Sequence, residues 1–127
     1  MVFNILIDNT DDHEKNHALL VTEPSRNGLL RLAPAYDVLP TNSGQEHQEF
    51  GVGVDGSDST LVNAMSQCAL FGLTTKQAGV EVLKVIEVVN GWRLHFKNCG
   101  VCTADLDSLA ERIDGVPLAS QRQSLTV

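Results

Sequence analysis

Asn9-Thr10-Asp11-Asp12-His13-Glu14-Lys15-Asn16-His17 is an unbroken polar run near the start of the chain. Side chains of these types compete with the backbone for its own hydrogen bonds, so they favour loops and caps over regular structure. The run is bracketed by apolar residues. Phe3 and Ile5-Leu6-Ile7 precede it and read as the last turns of a buried helix or strand whose beginning is missing. Ala18-Leu19-Leu20-Val21 follows it as a short apolar segment. A polar loop held between two apolar elements is therefore the local expectation.

Beyond the loop, Leu29-Leu30-Arg31-Leu32 is a second short apolar run, separated from the first by Thr22-Glu23-Pro24-Ser25-Arg26-Asn27-Gly28. Pro24 and Asn27-Gly28 are strong turn signals, so the pair predicts a small antiparallel hairpin. Residues 40–58 are rich in Gly, Ser, Gln and Asp and predict a long surface loop. The remainder has helical periodicity. Asp58 or Ser59 is placed to cap a helix carrying Leu61, Met65 and Cys68, with Gly72 just past its end. Thr74 followed by Gln77 fits a capping box. From there Ala78, Val82, Val85, Val89, Trp92 and Phe96 recur at steps of three and four, marking one face of a long amphipathic helix. Gly91 interrupts it at a cost of up to roughly 1 kcal/mol relative to Ala. A last helix is expected with Thr103 as cap, Leu106, Leu109, Ala110 and Ile113 inward and Gly115 as stop. The predicted fold is mainly α (α+β), with one domain over residues 1–116 and an aperiodic, disordered tail over 117–127.

Bulk properties fit one ordinary domain. The chain has 127 residues, 43% of them hydrophobic and only 5% aromatic, so the core is expected to be aliphatic. Sixteen acidic against nine basic side chains give a net charge of −7, which disfavours free-standing nucleic-acid or membrane binding. Three cysteines, Cys68, Cys99 and Cys102, are too few for a disulfide framework. The start has no basic region or apolar run of signal-peptide length, and no stretch approaches the roughly 20 apolar residues of a membrane span. A reducing cytoplasm is the default expectation.

Asp11 and Asn16 are separated by four residues, the spacing that protein kinases use in their catalytic loop, and Asp37 lies 21 residues further on in Ala35-Tyr36-Asp37-Val38. The residue types suit phosphoryl transfer. One carboxylate accepts the proton of a substrate hydroxyl, while a second carboxylate and an amide oxygen suit Mg²⁺, which prefers hard oxygen ligands. Asp and Asn are also common loop residues, and spacing alone would leave the bland reading in front.

The wider sequence pattern weighs against the bland reading. The run from Asn9 to His17 resembles the catalytic loop of HipA-like serine/threonine kinases, where Asn-x-Asp-x-His-x-x-Asn recurs. Arg31-Leu32-Ala33-Pro34-Ala35-Tyr36-Asp37-Val38-Leu39 is similar to that family's metal-binding segment, and Phe71-Gly72-Leu73 and Gly91-Trp92-Arg93 are further matches. The similarity runs from about Val2 to about Asp114. It implies a helical kinase-like C-terminal lobe with the hairpin beside the catalytic loop. It further implies Asp11 as catalytic base, His13 near the γ-phosphate, and Asn16 and Asp37 as magnesium ligands. Tyr36 and Lys15 would lie beside the nucleotide, Lys15 tuning local charge. Mg²⁺ and ATP are the implied cofactors. The implied activity is phosphorylation of a protein serine or threonine in a toxin–antitoxin setting, with a DNA-binding antitoxin as partner. The family's N-terminal lobe, with its phosphate-covering loop and lysine, finds no room here. Negligible activity is therefore expected of the isolated chain unless a separate N-lobe completes it. A non-catalytic docking module, binding an antitoxin, an N-lobe or a second copy through apolar surface near Phe3, Ile5, Leu6 and Ile7, is the first rival.

Three other motifs compete for attention. His13-Glu14-Lys15-Asn16-His17 matches the His-Glu-x-x-His of zinc hydrolases, which needs a helix to bring both histidines to one side and a third ligand. Gly51-Val52-Gly53-Val54-Asp55-Gly56 matches Gly-x-Gly-x-x-Gly but lacks a preceding strand and leads into helices, so a surface turn is expected. Cys99-Gly100-Val101-Cys102 lies before a helix start but after a helix, where a redox pair would follow a strand, and reads as loop thiols.

Overall fold

The computed structural model of the chain describes residues 1–22, 28–41 and 46–125. Its elements, in order, are α1 (Val2–Leu6), β1 (Leu19–Val21), β2 (Leu30–Leu32), α2 (Leu61–Ser66), α3 (Thr75–Asn90), α4 (Trp92–Asn98), α5 (Thr103–Ile113) and α6 (Val116–Ser124). Short 3₁₀ turns lie at Glu14–Asn16 and Cys68–Phe71. The fold is mainly α with one two-stranded antiparallel sheet, β1–β2.

Most helix boundaries follow from capping chemistry. The Thr74–Gln77 capping box opens α3, with each side chain bonded to the other's backbone N–H. At α2 the cap is Thr60, whose hydroxyl accepts from the Asn63 N–H at 3.1 Å, in place of the expected Asp58 or Ser59. Thr60 has the extended backbone a cap requires and stands directly before the first apolar helical residue. Gly72 closes the following turn at φ 70°, a left-handed conformation that glycine adopts without steric cost. The long amphipathic helix is two helices, α3 and α4, meeting at Gly91. Cys102 takes the N-cap position of α5, one residue before the expected Thr103.

The core gathers along that amphipathic stripe. Val82, Ile86, Val89 and Trp92 pack with Leu61 and Ala64 of α2, Leu106 and Ile113 of α5, Val52, and Ile5, Leu6 and Ile7. Ile5 and Leu6 are fully buried, and Ile7 nearly so. This is the buried element that the apolar run predicts, in the form of a helix. The rival expectation of an apolar surface at Ile5, Leu6 and Ile7 is corrected: α1 packs them against α2 and α3 and leaves Met1 and Phe3, at 42% and 40% exposure, toward solvent. Trp92 anchors the C-terminal helices. Its indole N–H donates to the Asp114 carboxylate at 3.2 Å, which also accepts from Arg122 of α6 at 2.9 Å. The stretch expected to be a disordered tail forms α6, with Leu118 buried and the Gln121 side chain accepting from the Leu61 N–H at 3.0 Å. Its contacts are made to other elements, which is why no periodicity advertises it. Gly115, expected only as a stop, is the N-cap of this helix.

The hairpin pairs Leu19 with Leu32, Leu20 with Arg31 and Val21 with Leu30. The ladder extends outward through Ala33 N–H to Ala18 and Thr22 N–H to Leu29. The turn residues Pro24 and Asn27 lie outside the described residues, as do 42–45 of the expected surface loop and the last two residues of the chain. The rest of that loop is tied down by Asn63, which is 1% exposed. Its carboxamide oxygen accepts from Asp55 N–H at 2.9 Å, and its NH₂ donates to the carbonyls of Gly56 and Asp58 at 3.2 and 3.0 Å. A Cβ on Gly53 would collide with the Asn63 carbonyl and the Ser66 hydroxyl, so the Gly-x-Gly-x-x-Gly run is a turn pressed onto α2.

Candidate functional site

The polar run leaves α1 and is fixed to it by buried amides. Asn4, Asn9, Thr10 and Asp12 are four of the buried polar residues of the fold, all in or beside this loop. Asn4 donates to the Asp12 carboxylate at 2.6 Å, and Asn9 donates to the Asn4 side-chain oxygen at 3.4 Å. The other Asp12 oxygen faces His17 Nε2 at 3.6 Å. A buried carboxylate is tolerated only when it is bonded in this way. Thr41 clamps the loop from the other side: its hydroxyl donates to the Asp8 carbonyl at 2.9 Å and accepts from Thr10 N–H at 3.1 Å.

These attachments separate the two adjacent aspartates. Asp12 is buried and bonded, whereas Asp11 is exposed and its carboxylate has no hydrogen bond or ion pair among the described residues. Asn16 lies at the end of the 3₁₀ turn and donates from its NH₂ to the Asp11 carbonyl at 3.2 Å, which leaves its side-chain oxygen unused. Asp37 is exposed and left-handed at φ 56°, uncommon for a residue other than glycine. Two bonds hold the chain there. Tyr36 donates from its hydroxyl to the Lys15 carbonyl at 2.7 Å, and Asn9 donates to the Asp37 carbonyl at 3.4 Å.

The fold therefore brings the Asp11–Asn16 loop and the Tyr36–Asp37 segment together, joined by the Tyr36–Lys15 and Asn9–Asp37 hydrogen bonds. Asn16 and Tyr36 also line a common cavity of about 380 Å³, with Asn4, Asp12 and Leu32 in its wall. The oxygen ligands at hand that have no partner among the described residues, two exposed carboxylates and one amide oxygen, are hard ligands of the kind Mg²⁺ takes. His13 is half-buried, and its Nδ1 has no hydrogen-bond partner among the described residues. Asn4 supports the site without appearing in the motif, and Thr41 secures the entry of the loop at Asp8 and Thr10 without a bond to Asp11, Asn16 or Asp37 among the described residues. An asparagine inside the apolar run Val2–Ile7 was the one sequence signal of the former.

The competing motifs do not assemble. His13 and His17 flank a three-residue 3₁₀ turn in extended backbone, so they do not share the face of an α-helix. Among the described residues, no group of three or more His, Cys, Asp or Glu is arranged to hold a metal ion. Cys99 closes α4 and Cys102 opens α5; both are exposed free thiols, and the element before them is a helix. No helix is long and apolar enough to cross a membrane among the described residues.

No curated protein and no solved structure matches the chain. A family model, described as the HipA-like C-terminal domain, matches residues 1–92. That stretch contains the polar loop, the hairpin, Asp37 and the helices up to Trp92, and leaves α5 and α6 outside it. With most of its length matched, the chain belongs to the HipA-like C-terminal domain family.

Proposed function

We propose that the chain is the catalytic-loop lobe of an ATP-dependent serine/threonine protein kinase. The observation that carries this reading is the junction of two separate segments, through Tyr36–Lys15 and Asn9–Asp37, around carboxylates that have no partner among the described residues. Asp11 is the base, accepting the proton of the substrate hydroxyl. Its buried neighbour Asp12 is spoken for by Asn4 and is not free to act. Asp37 and the Asn16 side-chain oxygen are the magnesium ligands, and His13 lies near the transferred phosphoryl group. Bound Mg²⁺ supplies charge neutralisation on the phosphates. Lys15 and Tyr36 border the nucleotide, the tyrosine also fixing the two segments.

Phosphoryl transfer, though not binding of the Mg²⁺-bound phosphates, needs a second lobe, on the same polypeptide or another. Period-two alternation puts Leu19, Val21, Leu30 and Leu32 on one face of the hairpin, each 61 to 65% exposed. A two-stranded ribbon is marginal by itself. Its open apolar face beside the loop is the natural seat for that lobe. The toxin–antitoxin setting, with a DNA-binding antitoxin restraining the kinase, belongs to the same proposal. The same ribbon face supports a second reading, a non-catalytic docking module, and sedimentation to a dimer at micromolar concentration would favour it.

The deciding experiment is calorimetric titration of Mg²⁺–ATP into the chain and into an Asp37→Ala variant. Binding heat present in the first and absent in the second supports the kinase lobe. No heat from either protein would leave the docking module.

A further inference from the structure

The Asn4–Asn9–Asp12 cluster is expensive to bury, and its bonds run in one direction. Asn4 gives its NH₂ to Asp12 at 2.6 Å and receives from Asn9 at 3.4 Å; Asn9 gives to Asn4 and, at 3.4 Å, to the backbone carbonyl of Asp37. Asn9 is 2% exposed and Asn4 8%. The two protons of the Asn9 NH₂ thus serve two acceptors on segments 28 and 5 residues away. One of those acceptors belongs to a residue held at φ 56°. Left-handed backbone at a non-glycine residue persists only where its surroundings over-determine it. Among the described residues the fixing contacts are Tyr36 on one side and Asn9 on the other, and of these two Asn9 is anchored in the core, through Asn4 of α1.

We propose that Asn9, oriented by Asn4, is a positioning residue. It holds Asp37 in its left-handed conformation and so sets the direction of that carboxylate relative to the loop carrying Asp11 and Asn16. The proposal rests on the kinase-lobe reading for its purpose, but not for its geometry. Groups that orient metal ligands without touching the metal typically change metal affinity about 10- to 100-fold when removed. Thr41 provides the contrast. It secures the same loop through Asp8 and Thr10 and makes no bond to Asp37.

The test uses the full chain and Mn²⁺ as the probe, with free Mn²⁺ followed by electron paramagnetic resonance. Asn9→Ala should weaken Mn²⁺ binding by about tenfold or more, while Thr41→Val should lower the unfolding midpoint and leave Mn²⁺ binding unchanged. In parallel, the Asp37 amide shift and its HN–Hα coupling, which reports φ, should move in Asn9→Ala and stay in Thr41→Val. Equal loss of Mn²⁺ affinity in both variants, or an unmoved Asp37 coupling in Asn9→Ala, would overturn the proposal. If the unsubstituted chain binds no Mn²⁺ while the coupling still moves in Asn9→Ala, the positioning role stands and the kinase-lobe reading fails. A measurement on the unsubstituted protein removes dependence on variants that fold poorly. The Asn9 side-chain NH₂ should exchange with solvent slowly, and exchange at the rate of an exposed amide would sink the idea.

Discussion

Truncating Leu6 to alanine should cost far more stability than truncating Phe3, although Phe3 is the larger side chain and the two share one short helix. Leu6 is fully buried in the central cluster, against the α2 and α3 side chains. Leu→Ala removes about three carbons, worth roughly 2.4 kcal/mol in transfer free energy at about 0.8 kcal/mol per methylene. The cavity term adds to this, and buried Leu→Ala changes span about 2.7–5 kcal/mol. α1 is a five-residue helix without a side-chain N-cap, so it has little local stability with which to resist. We therefore expect about 3 to 4 kcal/mol for Leu6→Ala. Phe3→Ala should cost about 1 kcal/mol or less, as its ring is 40% exposed and already meets water. Urea unfolding followed by circular dichroism and by Trp92 fluorescence reads both values, with the slope of the transition checking that the unfolded state is unchanged. Equal losses, or a Leu6→Ala cost below about 1 kcal/mol, would mean that α1 does not insert between α2 and α3.

Further tests address the loop, the caps and the charge. Asn63→Ala leaves the Asp55 N–H and the Gly56 and Asp58 carbonyls without their side-chain partner, so a loss of about 2 to 4 kcal/mol is expected in urea unfolding, with amide exchange accelerated first at residues 53–58. Thr74→Ala removes one half of an exposed capping box and should cost about 1 kcal/mol, read by thermal unfolding. Asp8 is the remaining test: burial raises its carboxyl above the ordinary 3.8, and the Arg112 charge opposes that shift in part. A raised carboxyl favours the folded state while protonated, and that contribution is lost as pH climbs from 3.8 through the higher folded value. Asp8→Asn should therefore stabilise the protein near neutral pH, with the gain over the unsubstituted chain shrinking in acid. Asparagine also tolerates the φ of 63° found there. A gain that grows in acid would contradict the assignment of burial as the dominant cause.

Periodicity and capping carried most of the helical half into view. Ala78, Val82, Val89 and Trp92 announce their buried face because a helix repeats its inward positions locally, and Thr74–Gln77 announces its start for the same reason. The α6 helix was not legible, since its anchors, Leu118, Gln121 and Arg122, answer to partners on other elements. The burial of Ile5, Leu6 and Ile7 was legible in their apolar run, but not which elements cover them, since a short apolar run reads alike whatever packs on it. At the site, the resemblance of the Asn9–His17 and Arg31–Leu39 runs, rather than the spacing of Asp11, Asn16 and Asp37, pointed to the two segments that the Tyr36–Lys15 and Asn9–Asp37 bonds join. Which of Asp11 and Asp12 is free could not be read from spacing. It depends on Asn4, eight positions before Asp12 and outside the polar run.

The way the site is mounted bears on how a partner lobe could control it. The two segments are fastened to α1 through Asn4 and Asn9, and α1 carries two fully buried core residues, Ile5 and Leu6. The ribbon, by contrast, exposes every residue of both strands and adds little apolar burial of its own. Opening of the ribbon should therefore cost less than opening of the loop, since local stability follows buried contact. Amide exchange at Leu20 and Arg31 is then expected to run ahead of exchange at Asn9 and Asp12. On that ordering, a lobe docking on the ribbon would fix the ribbon's position over the cavity at Asn16 and Tyr36 without having to assemble the carboxylates. On the proposed kinase-lobe reading, docking would then govern access to the Asp11–Asn16 loop and Asp37 rather than bring them together.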